Sequence, residues 1–64
     1  MNKIKAVLRE QGRTQAWLSD KIEKSYVVTT NYVNNKTQPS IHILYRIADV
    51  LDIDVRDLLV PSKP

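Results

Sequence analysis

The sequence predicts an all-α fold of five short helices, and three observations carry that expectation. Apolar residues recur at the i, i+3, i+4 spacing of helices with one buried face. Residues suited to capping a helix (Asn2, Thr14, Ser25, Ser40 and Asp54) each stand just before such a pattern. With one glycine, three prolines and no cysteine in 64 residues, the composition favours a compact helical unit over a loop-rich or all-β one. A chain this short makes one domain and buries only about 60% of the surface its unfolded form exposes. Every apolar position therefore counts toward stability.

The first helix is expected over residues 2–11, with Ile4, Val7, Leu8 and Gln11 on its inner stripe, Asn2 as its cap and Gly12 ending it in the left-handed conformation. Lys3, Lys5 and Arg9 fall on its outer side, where solvation explains them as well as contact with a nucleic-acid backbone does. Thr14 caps the second helix, Gln15 to Ile22 or Glu23, with Leu18 and Ile22 facing inward. Trp17 is assigned to the core in preference to a half-exposed position.

Ser25 caps the third helix, whose interior is ill suited to the role. Val27, Val28, Thr29, Thr30 and Val33 are β-branched, each less helix-favouring than alanine by up to roughly 0.7 kcal/mol. The apolar residues of this stretch nevertheless do not alternate, which rules against a strand. On a helical wheel Val28 or Thr29, Tyr32 and Val33 face inward, and Tyr26, Val27, Thr30, Asn31 and Asn34 share the opposite face. Asn34 and Asn35 suit its end, since asparagine tolerates the left-handed region. After the polar loop Lys36-Thr37-Gln38-Pro39, Ser40 caps a fourth helix from Ile41 to about Leu51, apolar around much of its circumference. His42 sits on its surface. Asp54 caps a last helix, Val55 to Val60, with Asp57 completing an imperfect capping box and Ile53 and Leu58 as a hydrophobic staple. Pro61 ends it, so the domain spans residues 1–60 and residues 61–64 form a frayed tail.

Charge is distributed unevenly. Residues 1–36 hold seven Lys/Arg against three Asp/Glu, and residues 37–64 three against four, so the +3 net charge divides into +4 and −1. Within the basic half, Ser25 to Asn35 carries no charge at all and is flanked by Lys24 and Lys36. A small, polar, neutral surface between two cations suits base edges lying between phosphate rails, so this stretch reads as a DNA recognition helix.

From Thr14 to Leu59 the chain resembles, without gaps, the phage repressor and Cro type of helix-turn-helix domain, the xenobiotic-response-element-like bacterial regulators. The carriers are Thr14, Gln15 and Leu18; Ile22; Ser25; Tyr32; Pro39-Ser40; and IADVLDIDVRDLL from Ile47 onward. The resemblance implies a compact five-helix lambda-repressor-like fold whose second and third helices form the helix-turn-helix. It implies a sequence-specific transcriptional regulator of the repressor kind that inserts the third helix into the major groove of double-stranded DNA. Carried over by position, Tyr26, Val27, Thr30 and Asn31 face base edges, and Gln15, Ser25, Asn34, Lys36 and Gln38 hold the backbone. Gln38 suits an ordinary loop equally well. A homodimer on half-sites one turn apart follows, with Leu59 and Val60 as a candidate surface. The chain departs from the family pattern at several positions: Ser19 stands for alanine, Glu23 for glycine, Lys24 for an apolar residue, Thr29 for isoleucine, Val33 for glutamate and Asn35 for glycine. At Glu23 a left-handed backbone would be strained, so a regular backbone is expected there.

An enzyme is not expected, because the chain has one histidine, no cysteine, no glycine-rich phosphate loop and no carboxylate pair in an apolar cleft. No cofactor or metal is implied. No apolar run reaches the ~18 residues of a membrane span and MNKIKAVLRE lacks a signal-peptide core, so a cytoplasmic location is expected. The competing reading is a protein-interaction module of the same fold, an antitoxin or anti-repressor partner, for which a neutral Tyr, Val and Asn surface is equally suitable.

Overall fold

Residues 1–60 are described by a computed structural model, and they form α1 (Ile4–Gln11), α2 (Gln15–Ile22), α3 (Tyr26–Val33), α4 (Ile41–Val50) and a 3-10 turn, Val55–Leu58. Pro61 as a helix stop, and the frayed tail after it, lie outside the described residues.

The predicted caps act at four of five positions. Thr14 accepts a hydrogen bond from the Trp17 N–H at 3.0 Å, Ser25 from Val28 at 3.1 Å and Ser40 from Ile43 at 3.3 Å. Each such cap is typically worth about 1 kcal/mol. Asp54 accepts from the Arg56 N–H at 2.8 Å, and the Arg56 guanidinium grips the same carboxylate at 3.1 and 3.0 Å. These side-chain and backbone hydrogen bonds hold the Asp54 carboxyl below its ordinary range.

Asn2 is different. The residue before α1 is Lys3, whose side chain makes no capping bond, and Asn2 bonds the Ile4 N–H at 3.1 Å from one position farther out. Its remaining groups turn away from α1. The Asn2 amide Nδ2 donates to the Tyr32 carbonyl and to Gln38 Oε1, both at 3.0 Å, and its backbone N–H donates to Asn35 Oδ1 at 2.7 Å. Asn35 Nδ2 returns a bond to the Asn2 carbonyl at 3.3 Å. A buried asparagine is tolerable here because its amide is fully partnered.

The last element departs from expectation. In place of an α-helix from Val55 to Val60 there is a single 3-10 turn, after which Leu59 becomes extended. The Leu59 N–H bonds the Arg56 carbonyl at 3.2 Å, three residues back, while the Leu58 carbonyl takes the Lys3 N–H at 2.8 Å. Asn2 and Leu59 form an antiparallel bridge, so pairing of the two chain ends replaces further helical turns. The capping box does not form either, since the Asp57 N–H goes to the Asp54 carbonyl and the Asp54 side chain serves Arg56.

The core draws on every element: Ile4 and Leu8 from α1, Leu18 and Ile22 from α2, Val33 from α3, Leu44, Ile47 and Ala48 from α4, then Leu51 and Leu58. Ile53, the other half of the expected staple, packs against the cluster that contains Leu58. Trp17 lies between its two expected positions, half-buried against the core with the Arg13 guanidinium 4.5 Å above its ring. Helix α4 contributes most to this core but is not packed all round, because Ile41 (60% exposed) and Tyr45 (57%) face outward. Gln11 is exposed as a residue yet reaches the Leu51 carbonyl through Nε2 at 2.8 Å.

All four helices end in the same way. Gly12 (φ 68), Glu23 (58), Asn35 (61) and Asp52 (56) are left-handed, and the N–H after each bonds a carbonyl five residues back at 2.9, 3.1, 2.9 and 3.0 Å. The regular backbone expected at Glu23 is therefore corrected. The chain takes the glycine conformation there without glycine, because the paired backbone bonds of this ending require it. The exposed Glu23–Arg46 ion pair at 3.2 Å adds little.

Two substitutions that look alike should separate. Glu23→Gly relieves left-handed strain and removes only a surface pair, so urea unfolding should show a gain of roughly 0.5–1 kcal/mol. Asn35→Gly relieves strain of the same kind but strands the Asn2 backbone N–H, so it should cost about 1–3 kcal/mol. Equal gains from both would contradict the role given to Asn2.

Candidate nucleic-acid interface

Helix α3 is helical because its surroundings make it so. Isolated helices of this length are marginal even for strong helix formers, and this one is rich in β-branched residues. Ser25 closes its start, Thr29 and Val33 are buried, Tyr32 packs against the core, and the left-handed Asn35 closes its end. Of the two inward candidates it is Thr29, not Val28, that is fully buried. Its hydroxyl donates to the Ser25 carbonyl at 3.0 Å, which satisfies the one polar atom that isoleucine would have lacked.

The opposite face is open. Tyr26 is 56% exposed and Val27 68%, Asn34 is exposed, and Thr30 and Asn31 are half-buried. The side chains of Lys24 and Lys36, at the two ends of the helix, are exposed, and neither forms an ion pair among the described residues. The surface is thus neutral along its length and cationic at both ends.

Two residues that the sequence separates are joined here. The Thr30 hydroxyl donates to Gln15 Oε1 at 2.9 Å, tying the open face of α3 to the first residue of α2. That bond uses the acceptor of the Gln15 amide and leaves its N–H donors for an anion. Ser25, whose oxygen caps Val28, keeps its hydroxyl proton as a donor at the start of α3. Gln38 is more committed, its Oε1 taken by Asn2 and its Nε2 donating to Asn35 Oδ1 at 3.2 Å. Sequence reasoning missed Asn2 and Asn35 as the pair that fixes the loop carrying Lys36. No local signal marks them, because the two stand 33 residues apart.

Among the described residues no group of His, Cys, Asp or Glu is placed to hold a metal ion, and no helix is long and apolar enough to cross a membrane. The open face of α3 and its flanks offer hydrogen bonding, apolar contact and positive charge.

A crystal structure of a candidate DNA-binding protein from Bacteroides fragilis superposes with a TM-score of 0.88 and 40% identity, covering 91% of this chain and 94% of that one. The N-terminal DNA-binding domain of SinR from Bacillus subtilis superposes with a TM-score of 0.76 and 27% identity, covering 95% and 90%. No curated protein matches the chain. The sequence model of the helix-turn-helix family matches residues 4–58, from the first residue of α1 to the end of the 3-10 turn, and the chain belongs to that family, in its Cro and phage-repressor branch.

Proposed function

We propose that this protein is a sequence-specific regulator of transcription, a repressor, that reads double-stranded DNA by laying α3 in the major groove. The observation that carries the reading is the construction of α3: anchored on one side by Thr29 and Val33, neutral and open on the other, and bounded by Lys24 and Lys36. An α-helix with its side chains is about 10–12 Å across, which matches a major groove about 12 Å wide. The solved structures it superposes on are described as candidate or established DNA-binding units, which supports the same reading.

In this arrangement Asn31 bonds an adenine through both ends of its amide, Val27 packs on a thymine methyl, and Thr30, its hydroxyl proton given to Gln15, accepts from a base on either strand. Tyr26 stacks on the groove wall or bonds a phosphate. Gln15 gives its free amide protons to a phosphate at the positive end of α2, and Ser25 gives its hydroxyl proton to one at the start of α3. Asn34 and Lys36 hold the backbone beyond the recognition helix, while Gln38 contributes chiefly by steadying their loop. One domain reads few base pairs, so specificity requires a homodimer on a palindromic operator. The exposed Leu59 and Val60 are the proposed contact between copies.

Selection from a random duplex pool should return a palindrome with half-sites one helical turn apart. Asn31→Ala should relax preference at one base pair by about 1–3 kcal/mol. Gln15→Ala and Lys36→Ala should instead weaken every sequence alike. With about three phosphates neutralised per protomer at this face alone, log affinity should fall with log salt at a slope of about −5 or steeper. A pool in which nothing enriches would transfer the α3 surface to a protein partner and defeat the proposal.

A further inference from the structure

We infer that Lys5, Arg9 and Arg13 form a second phosphate-binding rail that extends the DNA footprint along α1; the inference rests on the DNA-binding reading above. A concavity of about 230 Å³ is lined by Lys5, Leu8, Arg9, Arg13, Gln15 and Val33. Leu8 and Val33 are buried and supply an apolar floor, and the three cations are exposed around it. No carboxylate lines this concavity. By contrast, two larger ones mix signs: Asp49, Asp54 and Arg56 line the first, and Lys3, Glu10 and Asp57 the second.

Gathering three like charges works against folding. Lys5 and Arg9 stand four apart on α1, the spacing at which like charges repel, and Arg13 follows four later in the turn. Arg9 gains something from the C-terminal end of the helix, but Lys5 sits in the first turn, the end that disfavours a cation. None of the three forms an ion pair among the described residues. An anion brought from outside is the missing partner.

The position of the concavity says which anion. Gln15 belongs both to its lining and, through Thr30, to the open face of α3, so the rail begins where the proposed phosphate contact of α2 ends. Arg13 is already held, its guanidinium carbon 4.5 Å from the centre of the Trp17 ring. The ring makes no hydrogen bond to the guanidinium, which keeps its N–H groups for a phosphodiester. Trp17 then serves as the platform that orients a backbone contact.

The test uses the full chain and sonicated duplex DNA of mixed sequence, with affinity measured across a range of salt and folding checked by circular dichroism. The variants are Arg9→Gln/Arg13→Gln, Arg9→Lys/Arg13→Lys and Gln15→Ala/Lys36→Ala. The glutamine pair should flatten the slope of log affinity against log salt by about 0.9 for each phosphate it no longer neutralises. The lysine pair should keep the wild-type slope, which a purely structural role for arginine would not allow. If Gln15→Ala/Lys36→Ala weakens binding while the glutamine pair keeps the wild-type slope, the rail is refuted and the DNA-binding reading stands. A chain that does not hold the duplex at any salt defeats both.

Discussion

The open face of α3 depends on the little that its other face buries. Thr29 and Val33 are the fully enclosed side chains of this helix, and Tyr32 adds partial cover. Eight residues of poor helical propensity stay helical because those anchors, the Ser25 cap and the left-handed Asn35 outweigh the cost of β-branching. Helix formation here is a tertiary effect. It follows that the surface offered to a partner could be selected for what it touches with little regard for local preference, as functional surfaces often are.

Much of the framework is legible because it rests on short-range chemistry. Thr14, Ser25 and Ser40 cap the helices that follow them, and the boundaries of α1, α2 and α3 lie within a residue or two of those expected. Two departures share a cause, since each turns on a distant residue. Asp54, Ile53 and Leu58 fit the start of a last helix, but Lys3 claims the Leu58 carbonyl. Asn2 has the chemistry of a local cap, and its principal bonds go instead to the end of α3. Ile41 belongs to the apolar set expected to bury α4, and the fold provides nothing to cover it, or Tyr45 beside it, within residues 1–60.

Glu23 departs for another reason. The strain of a left-handed glutamate is real, but it is outweighed by two backbone hydrogen bonds that a regular turn would forfeit. The candidate site is legible as a set of residue types on one helix face. Its connections are not: the Thr30 to Gln15 bond and the capture of Gln38 by Asn2 link residues whose spacing carries no periodic signal. Valine at position 33, where the resemblance leads one to expect glutamate, becomes intelligible only beside Leu8, since the two together form one apolar floor.

The antiparallel bridge between Asn2 and Leu59 has a topological consequence. It brings residues 2 and 59 to one spot, so the chain between them forms an almost closed ring. Foreign sequence grafted before residue 2 or after residue 60 would emerge beside the same short seam, next to the loop that follows α3. Joining those ends with a brief linker and cutting the ring elsewhere would leave the packing order of the helices intact.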